Sequence, residues 1–212
     1  MSDEFKISLA QLNATVGDLS GNTQKVMEAW EIARDQRSDL IAFPEMFITG
    51  YNPQDLILKT AFQKAATSSI DQIAKACAQG PAIAIGGPFY DDNKLYNSYY
   101  ILADGKIQAV IKKHHLPNEE VFDEVRLFSS GNVDGPFQIG KMRIGSPICE
   151  DAWHTDLLSR TQRDPKNMTA IQASGMTSDE NGKYPASDPE KAITISAKKV
   201  TIEPITRIAS SQ

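Results

Sequence analysis

Two short stretches, LIAF at residues 40–43 and AIAI at 82–85, are apolar at every position. A strand with one face in water alternates apolar and polar side chains, so an unbroken run of this kind belongs to a strand covered on both faces. The segments around them supply helices. In residues 22–36, Val26, Ala29, Trp30 and Ala33 recur at helical spacing behind Asn22 or Thr23 as an N-cap, and AFQKAATSSIDQIAKACAQ at 61–79 reads as a second helix. A first strand, FKISLAQL at 5–12, leaves through the turn residues ATVGDLSGN, and Pro53 in GYNPQDLILK stands near a helix start. Gly86 and Gly87 are expected to stop the second apolar run.

The pattern then changes. LYNSYYILADGKIQAVIKK at 95–113 alternates around Asp104-Gly105, the strongest short hairpin signal in the chain. PFQIGKMRIGSPIC at 136–149 turns at Gly140-Lys141, and DAWHTDLLSRTQ at 151–162 begins like a helix. Strands alternating with helices early and hairpins later imply a mixed sheet in an α/β arrangement. After about Arg163 the chain becomes rich in Ser, Thr, Pro, Asp and Lys, with apolar hints at TAIQA and KKVTIEPITRI. That composition reads as a loosely ordered tail carrying one or two short strands.

Hydrophobic residues at 41% of the 212 give enough apolar side chain for a packed core. A formal charge of -5 argues against a nucleic-acid surface, and no run of about 18 apolar residues offers a membrane span. The start, MSDEFKISLAQL, lacks an apolar stretch of signal-peptide length. Two cysteines, Cys77 and Cys149, are too few for a disulfide framework, so the expectation is a cytoplasmic protein with reduced thiols whose partners are small molecules or proteins.

Three buried-looking strands each end in a chemically competent residue: LIAFPE in Glu45, AVIKK in Lys112 and Lys113, and IGSPIC in Cys149. Sites of α/β sheets collect at strand ends, where loops are free to carry polar groups and strands hold them still. Singly, each has a plain use: a turn residue, a solvated strand end, a small buried hydrophobe. Cys77, on the apolar side of a helix, takes that last role. Together the three suit acyl transfer from an amide. A thiol is mostly protonated at neutral pH, so it needs a carboxylate base or a nearby cation. Glu45 fits the base, while Lys113 and the Glu150 backbone amide fit the donors that an oxyanion requires. The rival use of His114, His115 and His154 as metal ligands is rejected, because adjacent residues on a strand face opposite ways and no spacing completes a tetrahedral set.

FPEMFITGYNPQDL, KKHHLPNEEVFDEVRLF and SPICEDAWH, in this order, resemble the motifs of the carbon-nitrogen hydrolase (nitrilase) superfamily. GYNPQDL, LPN…VFDE and CEDAW resemble more narrowly the N-terminal glutaminase domain of glutamine-dependent NAD+ synthetases, over about residues 5–160. The resemblance implies a four-layer αββα sandwich, with Glu45 as general base, Lys113 rather than Lys112 as catalytic lysine, and Cys149 as nucleophile. It implies that Glu124 supports the lysine, and that Tyr51, Glu150 and Trp153 line the glutamine pocket. The resemblance further implies that Glu119 stands in the loop that contacts glutamine, at a position where relatives often carry tyrosine. No cofactor is implied.

The same resemblance leads one to expect a partial hydrolase domain at 1–163 and a divergent tail at 164–212, with the sandwich incomplete or altered at the C-terminus. Ser174 is the counterpart of a motif serine, and no ATP-pyrophosphate loop follows. Ammonia from glutamine would then serve a separate NAD+ synthetase, and a homo-oligomer is expected. Two alternatives stand beside this: a non-catalytic remnant or interaction subunit, and a hydrolase of another small amide or nitrile.

Overall fold

The computed structural model describes residues 5–119, 122–154, 168–173, 193–196 and 200–206, of which 168–173, 193–196 and 200–203 are described by their backbone. The first sheet has six strands in the order β10-β1-β2-β3-β4-β5. These are β1 (Phe5–Ala10), β2 (Leu40–Ala42), β3 (Ala82–Asp91), β4 (Lys94–Ala103), β5 (Lys106–Lys112) and β10 (Val200–Ile205). The second sheet runs β6-β7-β8-β9, from β6 (Phe137–Ile139), β7 (Met142–Gly145), β8 (Met168–Ala173) and β9 (Ile193–Ser196). Strands β10, β1, β2 and β3 are parallel, and β3, β4 and β5 antiparallel.

Both apolar runs lie in the middle of the first sheet and bury both faces. Ile41, Ile83 and Ile85 pack against α1 (Leu19–Asp35) and α2 (Thr60–Ala76) through Val26, Ala29, Trp30, Ile70 and Ile73. On the other face Leu40, Ala42, Ala82 and Ala84 meet Phe137 and Ile144 of the second sheet and Ile148 just beyond β7. The described residues thus form helix, sheet and sheet layers of an α/β sandwich. The fourth, helical layer expected from the resemblance lies outside them, as does Ser174.

Local chemistry explains where elements depart from the sequence reading. Helix α1 starts at Leu19 because Asp18 caps it, accepting from the Gly21 N–H at 2.9 Å. Asn22 is buried and used otherwise: it bonds the Thr15 backbone in both directions and the Ile48 carbonyl, tying the helix to the loop beyond β2. Strand β3 runs through Gly86 and Gly87 instead of ending there. A Cβ on Gly86 would lie 2.1 Å from the Met46 nitrogen and 2.6 Å from the Pro44 oxygen, so glycine lets residues 44–46 cross the strand. Asp104 and Gly105 take φ of 54° and 77° and join β4 to β5, as the hairpin signal requires. At the next predicted helix, the segment after β7 forms a 3-10 helix at Cys149–Trp153. The remainder, from 155, lies outside the described residues.

Candidate active site

Residues 43–50 are buried throughout although only the first is in line with β2. Their backbone is held by β3: Phe43 N–H donates to Ala84 O, Gly86 N–H to Pro44 O, and Ile48 N–H to Gly86 O. This fixes Glu45 at the strand end, 2% exposed. Lys113 follows β5, and its backbone N–H donates to Asn97 O on β4. The neighbouring lysine points the other way, as alternation on a strand dictates: Lys112 Nζ bonds Asp91 at 2.8 Å and lies over the Tyr96 ring. Lys113 is 0% exposed.

The Lys113 ammonium donates to Glu45 Oε1 at 2.7 Å and to Glu124 Oε1 at 3.0 Å. Glu124 opens the short helix α3 (Glu124–Leu127). Burial pulls the Lys113 ammonium toward deprotonation, but the charges of Glu45, Glu124 and Cys149 outweigh it and hold its pKa above the ordinary lysine value. Burial and the Glu45 charge push Glu124 up to about 6, against the opposing pull of Lys113. Tyr51 donates its hydroxyl to Glu124 at 3.2 Å; burial first, then Glu45, Glu124 and Cys149, raise its pKa and keep it a phenol.

Cys149 is half-buried at the start of its 3-10 helix, with φ of 47°, a left-handed conformation that is uncommon away from glycine. A negative charge on its sulfur would raise the pKa of both Lys113 and Tyr51, and Asp151, two residues on, bonds the backbone next to Lys113, which holds the Cys149 turn against the lysine segment. The structure therefore brings Glu45, Lys113, Glu124, Tyr51 and Cys149 together. Glu150 is half-buried and accepts from His154 Nε2 at 3.0 Å, whereas Glu119 is exposed and Trp153 is 71% exposed. Cys77 is buried, and burial pushes its thiol up to about 12.

Two residues went unread in the sequence. Asn97, buried in β4, donates Nδ2 to Glu45 Oε1 at 2.7 Å and also faces Glu124. Its signal was a polar side chain in the middle of a tyrosine-rich strand. Asp151, 2% exposed, accepts backbone N–H bonds from His114, His115 and Ile148. Burial raises its pKa despite those bonds. The histidines also differ from expectation. Past the end of β5 they are no longer alternating, so the His114 and His115 rings meet at 4.7 Å and His115 stacks on His154 at 3.7 Å. Among the described residues no three His, Cys, Asp or Glu side chains are grouped to hold a metal ion, and no helix is long and apolar enough to cross a membrane.

Residues 6–182 match the family described as Carbon-nitrogen hydrolase. A glutamine-dependent NAD(+) synthetase of Rhodobacter capsulatus is 49% identical over 157 residues, 74% of this chain and 28% of the relative. The structure of glutamine-dependent NAD+ synthetase from Acinetobacter baumannii superposes with a TM-score of 0.75 at 30% identity, covering 81% of this chain and 33% of that one. An amidase from Nesterenkonia sp. shares the fold, with a TM-score of 0.68 at 18% identity over 82% of this chain and 77% of its own. The chain thus spans about a third or less of the synthetases it matches.

Proposed function

The chain belongs to the carbon-nitrogen hydrolase family, and on that premise we propose that it hydrolyses the side-chain amide of glutamine through a thioester on Cys149. The observation that carries this reading is the water-excluded Glu45-Lys113-Glu124 ion cluster beside a cysteine held in a left-handed turn. The similarity to glutamine-dependent NAD(+) synthetases points to glutamine among amides.

Glu45 takes the thiol proton as Cys149 Sγ attacks the amide carbon. The oxygen becomes negative, and the Lys113 ammonium and the Glu150 backbone N–H donate to it. Collapse breaks the C–N bond, and Glu45 returns its proton to the departing nitrogen as ammonia forms. Glu45 then takes a proton from water, whose oxygen attacks the thioester. The C–S bond breaks, Cys149 recovers a proton, and glutamate leaves. Because Lys113 is kept charged by two carboxylates, it serves as an electrostatic donor rather than as a base. Tyr51, with Glu124, keeps that lysine in place and borders the substrate; Glu150 and Trp153 form the outer rim, with Glu119 in the facing loop. The ammonia would serve an NAD+ synthetase activity, in a cytoplasmic setting and with the hydrolase as a homo-oligomer.

An electrophilic glutamine analogue tests the reading directly. One adduct is expected on Cys149 by intact mass and peptide mapping, blocked by glutamine, absent in Cys149→Ala and slowed in Glu45→Gln. No adduct, or equal labelling of Cys77 and Cys149, overturns it.

A further inference from the structure

The two halves of the ion-cluster-and-thiol arrangement come from different sheets. Lys113 follows β5 of the six-stranded sheet, and Cys149 follows β7 of the four-stranded one. Neither sheet by itself dictates how far the ammonium lies from the sulfur. One side chain touches both strand ends. Asp151 Oδ1 accepts the His115 N–H at 2.7 Å, both its oxygens face the His114 N–H at 3.2 and 3.3 Å, and Oδ2 accepts the Ile148 N–H at 3.3 Å. These donors are the residues directly after Lys113 and directly before Cys149.

We propose that Asp151 is a positioning residue that sets the distance between the Lys113 ammonium and the Cys149 sulfur by gripping the backbone on either side of them. The proposal rests on the roles given above to Lys113 and Cys149. A plain helix cap would satisfy only the turn that it belongs to, here the Ile148 N–H. The shortest bond goes instead to His115, on the other strand end, 36 residues away. The carboxylate is nearly closed to water, so nothing else competes for its oxygens. The lysine side of this grip is itself braced. Gly131 N–H donates to Lys113 O, Ser130 Oγ donates to His114 O, and His114 Nδ1 lies 2.6 Å from Gly131 O. Asp151 is thus the link between a fixed lysine segment and a left-handed cysteine turn.

Two readouts on Asp151→Asn and Asp151→Ala separate positioning from simple support. Asparagine keeps one accepting oxygen and the shape of the side chain, so it carries the test if the alanine variant does not fold. The first readout is the pH profile of Cys149 alkylation by iodoacetamide, followed by peptide mapping. If Asp151 holds the cation at the thiol, the midpoint moves upward by about one pH unit in the variants. The second is glutamine hydrolysis, where kcat falls roughly 100-fold with KM within about threefold of wild type, as for a misplaced reacting group. An unchanged alkylation midpoint in folded Asp151→Asn, whatever its melting temperature, overturns the proposal. The alkylation readout needs no glutamine. A wild-type protein that leaves glutamine intact but shows the Asp151-dependent midpoint therefore removes the substrate assignment and sustains this one.

Discussion

At the scale of single residues, two carboxylates face one ammonium in a space closed to water, and Glu124 is the member that titrates into the working range. Its carboxyl is pushed up to about 6 by burial and by Glu45. The folded chain binds this proton more tightly than the unfolded chain does, so stability falls as pH rises from the ordinary glutamate range through about 6, by roughly 2 kcal/mol. Activity moves the opposite way. Below about 6 the added proton removes half of the negative charge that keeps Lys113 in place and lies within reach of Glu45, the proposed base. Glutamine hydrolysis is therefore expected to lose its acid limb near pH 6 in wild type. Glu124→Gln, which fixes the cluster in the state that protonation reaches, is expected to hydrolyse glutamine slowly at every pH with no limb near 6, and the stability slope between pH 4.5 and 6.5 disappears from denaturant titrations. A variant limb still centred near 6 would assign that proton elsewhere. In the sequence Glu45, Lys113 and Cys149 stood out as strand-end residues, and Glu124 through the family resemblance alone. Asn97 and Asp151 went unread, because a polar side chain inside a strand or turn shows its partner only after the chain has folded.

Elements were legible where one residue type answers one backbone demand. Asp104-Gly105 announced its turn, since glycine and aspartate tolerate positive φ. Asp92 and Asn93 make the same kind of turn between β3 and β4, with φ of 47° and 58°, but carry no glycine to announce it. Gly86 misled for the converse reason. Glycine also marks a close backbone crossing, and here it admits the Glu45 segment rather than ending a strand. That use is measurable. In Gly86→Ala the new Cβ meets fixed backbone atoms of residues 44–46, and the expected loss is about 3 kcal/mol in denaturant unfolding. Gly87→Ala is the comparison: its Cβ would meet one side-chain methyl, Ile48 Cγ2 at 2.8 Å, in place of three backbone atoms, so it costs less. Equal, small losses at both positions would mean that the crossing yields easily and that Glu45 is not held by it.

For the whole molecule, the decisive pairing joins the two ends of the described chain. Strand β10 lies parallel to β1, from Phe5↔Val200 to Ala10↔Ile205, and Gln11 N–H donates to Ile205 O. Local periodicity hinted at KKVTIEPITRI as a strand, but a parallel partner so distant in sequence leaves no local mark. Pro204 carries a clue to its place. Proline lacks the N–H that a central strand donates, so it suits the edge position that β10 occupies. Without β10, β1 becomes the edge, an alternating strand with no proline to blunt it. Ile205, 3% exposed, also leaves the core between the sheet and the helices. Deleting residues 200–212 is therefore expected to cost more than about 3 kcal/mol, from the loss of that buried isoleucine and of a whole strand's pairing. The deleted chain should self-associate through β1 in size-exclusion chromatography, and Phe5→Lys, at the partly buried start of that new edge, should reduce the association. A monomeric deletion product with the wild-type unfolding midpoint would show that β1 is complete without its parallel partner, and that the geometry of Glu45 two strands away does not depend on it.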